Sequence, residues 1–252
     1  MRRRVPSSLH LLNGSPDRGV TLRQVTRQEK KFLIDPVTSV KLRRRLGAIM
    51  QEDEHNGSCG YRIRSLYFDT LHDRDFVEKL FGTDPRRKVR LRLYDPAGDF
   101  ALLECKQKQG ENQLKRSMPL NRSESMRLIE GDAEWMLRRP EPFAAEMYAF
   151  IKINGYRPKS IVEYRRQAFV AKENRIRITF DTDVRSTETN VNVFDKHLCT
   201  HPVLDPFNVI LEVKYNGFLL SYIKDEINSV SKRPISVSKY CLGRDITMGF
   251  QF

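Results

Sequence analysis

Two charged residues flanking one apolar residue recur along this chain, as Arg90-Leu91-Arg92, Glu104-Cys105-Lys106, Arg175-Ile176-Arg177 and Glu212-Val213-Lys214. Successive side chains of a β-strand point to opposite faces, so the outer two residues of each triplet share a face. Each segment then carries Lys, Arg and Glu on one side and Leu, Val, Ile or Cys on the other. Several such strands side by side line a surface, or the inside of a barrel, with cations and a few carboxylates. That is a setting for a highly charged anion and a metal ion.

A single strand of this kind would ordinarily turn its charges to water and its apolar face to the core. Three details argue for an enclosed charged face instead. These faces avoid the Thr, Ser and Asn that normally share solvent-exposed strand positions, and they mix carboxylates into a strongly cationic set. The hairpins also carry the pattern on both partners, which stacks like charges across the ladder and is unfavourable unless an anion lies between them. A formal net charge of +13 over 252 residues points the same way, to a polyanionic partner. The expected architecture is α+β: an antiparallel eight-stranded β-barrel tunnel with a charged lumen, its apolar outer wall flanked by helices. Such a barrel leaves a bore wide enough for a linear ligand and little else.

The order of elements fits one domain over residues 23–252, after a basic tail over 1–22 that bears prolines and glycines. Pro36 is placed to open a helix, and Asp73 to Phe81 to form a short one closed by Gly82. Tyr61 to Asp69, Arg87 to Tyr94, Phe100 to Gln107 and Leu114 to Leu120 read as strands, with a tight hairpin at Asp95-Pro96-Ala97-Gly98-Asp99. Two helices follow, the first capped by Ser123 and ending before Pro140, the second running from Pro142 to Gly155. In the second, Phe143, Met147, Phe150 and Ile151 repeat at helical spacing as a core stripe. Ile161 to Lys172 and Arg175 to Asp183 make another hairpin about Glu173-Asn174. Val209 to Tyr215 is a last strong strand, Phe218 to Val230 a helix, and Ser238 to Leu242 begins or joins a further one. Asp69, Asp181 and Asp183 fall at expected strand ends, where a turn role is the reading, and Tyr67, Phe68, Trp135 and Tyr148 read as core aromatics.

Other function classes are disfavoured. Cys59, Cys105, Cys199 and Cys241 show no C-x-x-C spacing, which argues against a structural zinc site and gives no disulfide framework. The five histidines fall in predicted loops and turns, with no ligand role. Nothing resembles a signal peptide, and no run of about 18 apolar residues spans a membrane, so the expected location is cytoplasmic, with room for a membrane-bound protein partner. No RNA- or DNA-binding signature is present, and no nucleic-acid partner is expected.

The motifs, in order, are Arg27-x-Glu29-x-Lys31, Ser65-Leu66-Tyr67-Phe68-Asp69-Thr70, Arg90-Leu91-Arg92-Leu93-Tyr94, Leu103-Glu104-Cys105-Lys106 and Tyr164-Arg165-Arg166-Gln167-Ala168-Phe169. Arg177-Ile178-Thr179-Phe180-Asp181-Thr182-Asp183, Leu211-Glu212-Val213-Lys214 and Ser238-Lys239-Tyr240 complete the set. In this order the chain resembles the VTC domain, the polyphosphate polymerase branch of the triphosphate tunnel metalloenzyme, or CYTH-like, superfamily. The resemblance implies a closed tunnel of about eight antiparallel strands. It also implies ATP and inorganic polyphosphate as partners, transfer of the terminal phosphoryl group onto the chain end, and Mn²⁺ or Mg²⁺ as cofactor.

By the same resemblance, Lys31, Arg90, Arg92, Lys106, Lys115, Arg166 and Lys239 are expected to hold phosphates along the tunnel and carry the catalysis. Tyr164, Ser238, Arg177 and Lys214 are expected to be neighbouring substrate contacts. Glu212 is the expected metal carboxylate, with Glu104 and Glu29 completing a cluster. Hydrolytic members of the superfamily open with Glu-x-Glu-x-Lys, whereas here Arg27 takes the first glutamate's place, which favours the polymerase branch. Two other readings keep the tunnel: a hydrolase of tripolyphosphate or a nucleoside triphosphate, and a non-catalytic polyphosphate-binding module.

Overall fold

The computed structural model describes residues 27–110, 112–236 and 238–249; the basic tail and the side chain of Arg27 lie outside them. Three of the four alternating triplets lie wholly on strands; Arg175, expected to begin one, instead ends a 3₁₀ turn (Glu173–Arg175) at φ +47°, and its strand starts at Ile176. In chain order the elements are β1 (Arg27–Ile34), α1 (Pro36–Ile49), β2 (Gln51–Glu52), β3 (Tyr61–Asp69), α2 (Arg74–Leu80), β4 (Arg86–Leu93), β5 (Phe100–Gln109) and β6 (Asn112–Asn121). There follow α3 (Arg122–Ile129), α4 (Pro142–Asn154), β7 (Arg157–Ala171), β8 (Ile176–Thr187), β9 (His201–Pro202), β10 (Val209–Asn216), α5 (Ser221–Asn228), β11 (Arg233–Pro234) and α6 (Lys239–Met248). The fold is α+β, and no helix among the described residues is long and apolar enough to cross a membrane.

Local chemistry sets most boundaries. Asp35 caps α1 by accepting a hydrogen bond from the Thr38 amide at 2.8 Å, and Pro36 follows as its first residue. The β4–β5 hairpin turns as expected, with the Gly98 amide donating to the Asp95 carbonyl at 3.0 Å. Two helix assignments need correcting. The cap of α3 is Asn121, in a reciprocal capping box with Glu124, and Ser123 lies inside the helix. That helix stops at Ile129, and a separate 3₁₀ turn, Glu134–Arg138, precedes Pro140. The expected helix Phe218 to Val230 forms only over α5.

All the ladders are antiparallel, in the order β11-β1-β10-β8-β7-β3-β4-β5-β6, with β2 on β7 and β9 on β8. Eight strands have eight residues or more, and the other three are two-residue bridges. The expected closed barrel is not formed by backbone: among the described residues the sheet is open, ending at β6 and β11. Both end strands carry a proline, Pro119 and Pro234, which has no N–H to offer a further neighbour. The sheet is nonetheless strongly curled. β1 and β5 are six places apart in the order, roughly 29 Å in a flat sheet, yet Lys106 Nζ on β5 lies 3.0 Å from Glu29 Oε2 on β1.

The apolar sides of the triplets face outward beneath helices. Leu66, Val89, Leu91, Leu103 and Met118 pack with Leu128 of α3 and Met147 and Ile151 of α4. Ile178, Phe180, Leu211 and Val213 pack with Leu42 and Leu46 of α1 and Ile223 of α5. A third cluster, Tyr67, Val162, Tyr164 and Ile210 with Phe76 of α2 and Tyr240 of α6, lies on the inner side. Asp69 ties this corner together: its carboxylate accepts the amides of Asp75 and Phe76 and the Tyr240 hydroxyl.

Candidate active site

The charged sides of the strands meet inside the curl. On one wall Glu104 of β5 is almost wholly buried and receives Arg90 Nε at 2.7 Å, Arg92 Nε at 3.7 Å and Lys115 Nζ at 2.5 Å. Burial opposes its ionisation, but Arg90, Arg92 and Lys115 outweigh it and hold the carboxyl down at about 2. Arg90 also donates to the Tyr67 hydroxyl at 3.0 Å, so this aromatic has a role in the lumen besides its packing.

On the facing wall Glu212 of β10 contacts Lys214 at 3.0 Å, Arg166 at 3.5 Å and Lys31 at 3.6 Å. Its carboxyl is held well below the usual range: burial raises it, and Lys214, Lys31, Lys239 and Arg166 more than compensate. Glu29 shares Lys31 with it at 3.1 Å. Burial lowers the Lys31 ammonium, but Glu212 and Glu29 reverse the balance and raise it.

Asp181 links this wall to α6. It sits in mid-strand on β8, fully buried, and takes Arg166 in a bidentate grip at 2.6 and 2.8 Å. Lys239 Nζ reaches the same carboxylate at 2.5 Å. The turn role expected for Asp181 is therefore wrong, and the missed signal was its phase: Arg177, Thr179 and Asp181 share one face of β8. The Tyr164 ring lies under both cations, 5.3 Å from Arg166 and 4.7 Å from Lys239. Arg177 is tied to Asp53 at 2.6 Å and to the Tyr61 hydroxyl. Ser238, at the start of α6, accepts a hydrogen bond from Lys88 at 2.6 Å. Lys88 was also missed, although it stands two residues before Arg90 on the same face.

The structure thus brings Lys31, Arg90, Arg92, Lys106, Lys115, Arg166, Lys214 and Lys239 to one interior, while Arg177 is held by its own partners. It does not gather the expected carboxylate trio. Glu104 is enclosed by its three cations, and no group of three or more His, Cys, Asp or Glu among the described residues is placed to hold a metal ion. Glu29 and Glu212 remain as a pair on one cation. Two carboxylates fit a hard divalent ion that takes its other ligands from water and substrate phosphates. Thr179, which stands opposite Glu212 in the ladder, has a buried hydroxyl with no partner among the described residues.

A search of curated proteins found no match. Among solved structures, the chain is similar to a Bacillus halodurans protein provisionally described as an adenylate cyclase, at 12% identity and a TM-score of 0.45, covering 90% of this chain and 92% of that one. It is also similar to a conserved hypothetical protein of Pyrococcus furiosus, at 9% identity and 0.40, covering 81% of this chain and 86% of that one. A Pyrococcus horikoshii protein follows at 11% and 0.36, with 81% and 84% covered. Likeness at that level says nothing of activity. The decisive comparison is with protein families, where the VTC domain matches residues 26–248. With nearly the whole length matched, this chain belongs to the VTC domain family.

Proposed function

We propose that the protein is a polyphosphate polymerase, residues 23–252 acting as a single domain of the triphosphate tunnel kind, at work in the cytoplasm. It would move the terminal phosphoryl group of ATP onto the end of an inorganic polyphosphate chain, with Mn²⁺ or Mg²⁺. One observation carries this reading. Cations from opposite walls converge on the same interior, and most already grip a carboxylate oxygen where a phosphate oxygen would sit.

In the reaction, a chain-end phosphate oxygen forms a bond to the γ-phosphorus of ATP while the bond from that phosphorus to the β,γ-bridging oxygen breaks. ADP leaves with the electron pair. The attacking oxygen is already anionic, so no protein base has to remove a proton. Lys31, Arg166 and Lys239 on one side, and Arg90, Arg92 and Lys115 on the other, hold the two phosphate groups in line and offset the charge that spreads over the equatorial oxygens. Glu212 and Glu29 would hold the divalent ion, which supplies further neutralisation across the phosphate oxygens when bound. Tyr164 keeps Arg166 and Lys239 in place from below.

The test is incubation with ATP and either Mn²⁺ or Mg²⁺, with products resolved on a gel stained for polyphosphate. A ladder of long chains with matching ADP is the expected result. The Glu29–Glu212 pair favours one other reading, a hydrolase of tripolyphosphate or a nucleoside triphosphate, in which these two carboxylates would hold a metal ion that supplies water activation when bound. ADP with free phosphate and no ladder would establish that instead. Chain binding without turnover under either metal would mean a binding module.

A further inference from the structure

The lumen is not evenly neutralised. Across β4, β5 and β6, Lys88, Lys106 and Lys115 stand directly opposite one another in the ladders, and the next inward-facing row pairs Arg86 with Lys108. Like charges in register are unfavourable. Lys106 is relieved by Glu29 and Lys115 by Glu104. Lys88, Arg86 and Lys108 have no carboxylate partner among the described residues, nor has Lys79 of α2. Lys88 spends its hydrogen bond on the neutral Ser238 hydroxyl, and Lys79 on Ser236 at 3.1 Å. The nearby Asp84 carboxylate accepts from the Gly110 amide, and Glu78 pairs with Arg74.

The surroundings of Lys88 offer no other compensation. Burial pulls its ammonium down to about 8, helped by Lys31 and Lys79, with Cys241 and Tyr67 the groups that oppose it. Burial and Arg86 likewise lower Lys79. Ser238, turned toward Lys88, does not cap its own helix. Along β4 the inward row from Arg92 to Arg86 spans six residue steps, about 20 Å at the strand rise. A triphosphate occupying the carboxylate-bearing part of the lumen leaves the last stretch of that row uncovered.

We infer that Lys88, with Lys79, Arg86 and Lys108, forms a second anion subsite that takes the distal phosphates of a linear polyphosphate and selects long chains over short triphosphates. This rests on the polyphosphate reading above and extends it. A growing chain would gain affinity as it reaches this end, whereas ATP or tripolyphosphate would not.

The test is equilibrium binding, without metal or turnover, of tripolyphosphate and of long-chain inorganic polyphosphate to the wild-type protein, Lys88→Met and Lys79→Met/Lys88→Met. The wild type is expected to prefer the long chain. Each variant is expected to lose about tenfold or more of its long-chain affinity, the scale of one charge-assisted contact, with a much smaller loss for tripolyphosphate. Methionine keeps the apolar stem, and melting curves of the same samples confirm folding; should the variants melt early, Lys88→Gln replaces them. Equal losses for both ligands, or none for either, would overturn the subsite. Failure of the polymerase reading would show separately, as a wild-type protein that makes no ladder while its binding preference persists.

Discussion

Asp181→Asn offers the sharpest test of how the lumen is held before substrate arrives. The change is nearly isosteric, yet it removes the anion shared by Arg166 and Lys239. Arg166 would retain Glu212 at 3.5 Å and the Tyr164 ring, and Lys239 the Tyr164 ring. Breaking a buried pair from one side costs about 3–5 kcal/mol, because the other charge stays behind. For a domain of this size each kcal/mol is worth about 2–4 °C, so the variant should melt roughly 6–20 °C below the wild type at neutral pH. Tripolyphosphate should repair much of this. At 100 times its Kd an anion adds about 2.7 kcal/mol to any native state that binds it. The variant should gain more than the wild type at the same concentration, since the ligand no longer competes with Asp181 for Arg166 and Lys239. The assay is a thermal melt of both proteins with and without tripolyphosphate. The acid limb supplies a control. Burial raises the Asp181 carboxyl, but Arg166 and Lys239 bring it below its ordinary 3.8. Its contribution is therefore present above that value and lost as pH falls through the lower native one, so the two melting curves should converge in acid. Equal melting temperatures at neutral pH, or equal shifts with tripolyphosphate, would refute the idea that Asp181 stands in for substrate oxygens.

Further predictions follow from the same geometry. Gly60 has φ +76°, and a Cβ there would lie 2.3 Å from the Arg166 carbonyl oxygen; Gly60→Ala should cost at least about 2 kcal/mol and weaken tripolyphosphate binding by displacing β7, as melting and calorimetry would show. Lys88 and Lys214 both have native pKa values lowered to about 8 by burial. The unfolded chain then binds more protons between about 8 and 10.5, and stability should rise with pH across that window by up to about 3 kcal/mol per lysine; Lys88→Met should lose its share of the slope in melts taken from pH 7.5 to 10. Lys31→Ala removes the cation between Glu29 and Glu212 and should lower chain synthesis by roughly 100-fold or more, read as ADP release and ladder intensity. Arg166→Ala leaves Asp181 to Lys239 alone and should melt well below the wild type, so Arg166→Lys is the variant that reports on chemistry.

Much of this was legible in the sequence because β-structure writes its faces with a period of two. The triplets at Arg90, Glu104 and Glu212 gave both the strands and their inward sides, and Pro36 and Gly155 marked helix ends by backbone chemistry alone. What the sequence hid was three-dimensional choice. Asn121 and Ser123 are both competent caps, and only the Glu124 carboxylate folding back onto Asn121 decides between them. Asp181 looked like a turn residue because β8 was expected to stop at Asp183, whereas it runs on to Thr187 through a register shift against β7. Glu104 and Glu29 share the pattern of metal carboxylates, but which cations surround them depends on how strands distant in sequence face each other. The open ladder was invisible for the same reason: alternation is identical in a ring and in a sheet that curls without closing.

On the polyphosphate reading proposed above, that last feature alters how a chain would get inside. A barrel sealed by backbone hydrogen bonds admits a thread only through its ends, and its girth is fixed by strand number. Here the lips of the curl are laced by charge, Lys106 to Glu29, and a polyanion is the natural competitor for that lysine. A phosphate chain lying along the lips would draw Lys106 away from Glu29 and undo the lace locally as it slips in sideways. The same lace slackens in salt, since a surface-accessible ion pair is screened within about 8–10 Å at physiological strength. Loading of a long chain would then depend on ionic conditions through the opening of the wall as well as through the strength of the grip inside it.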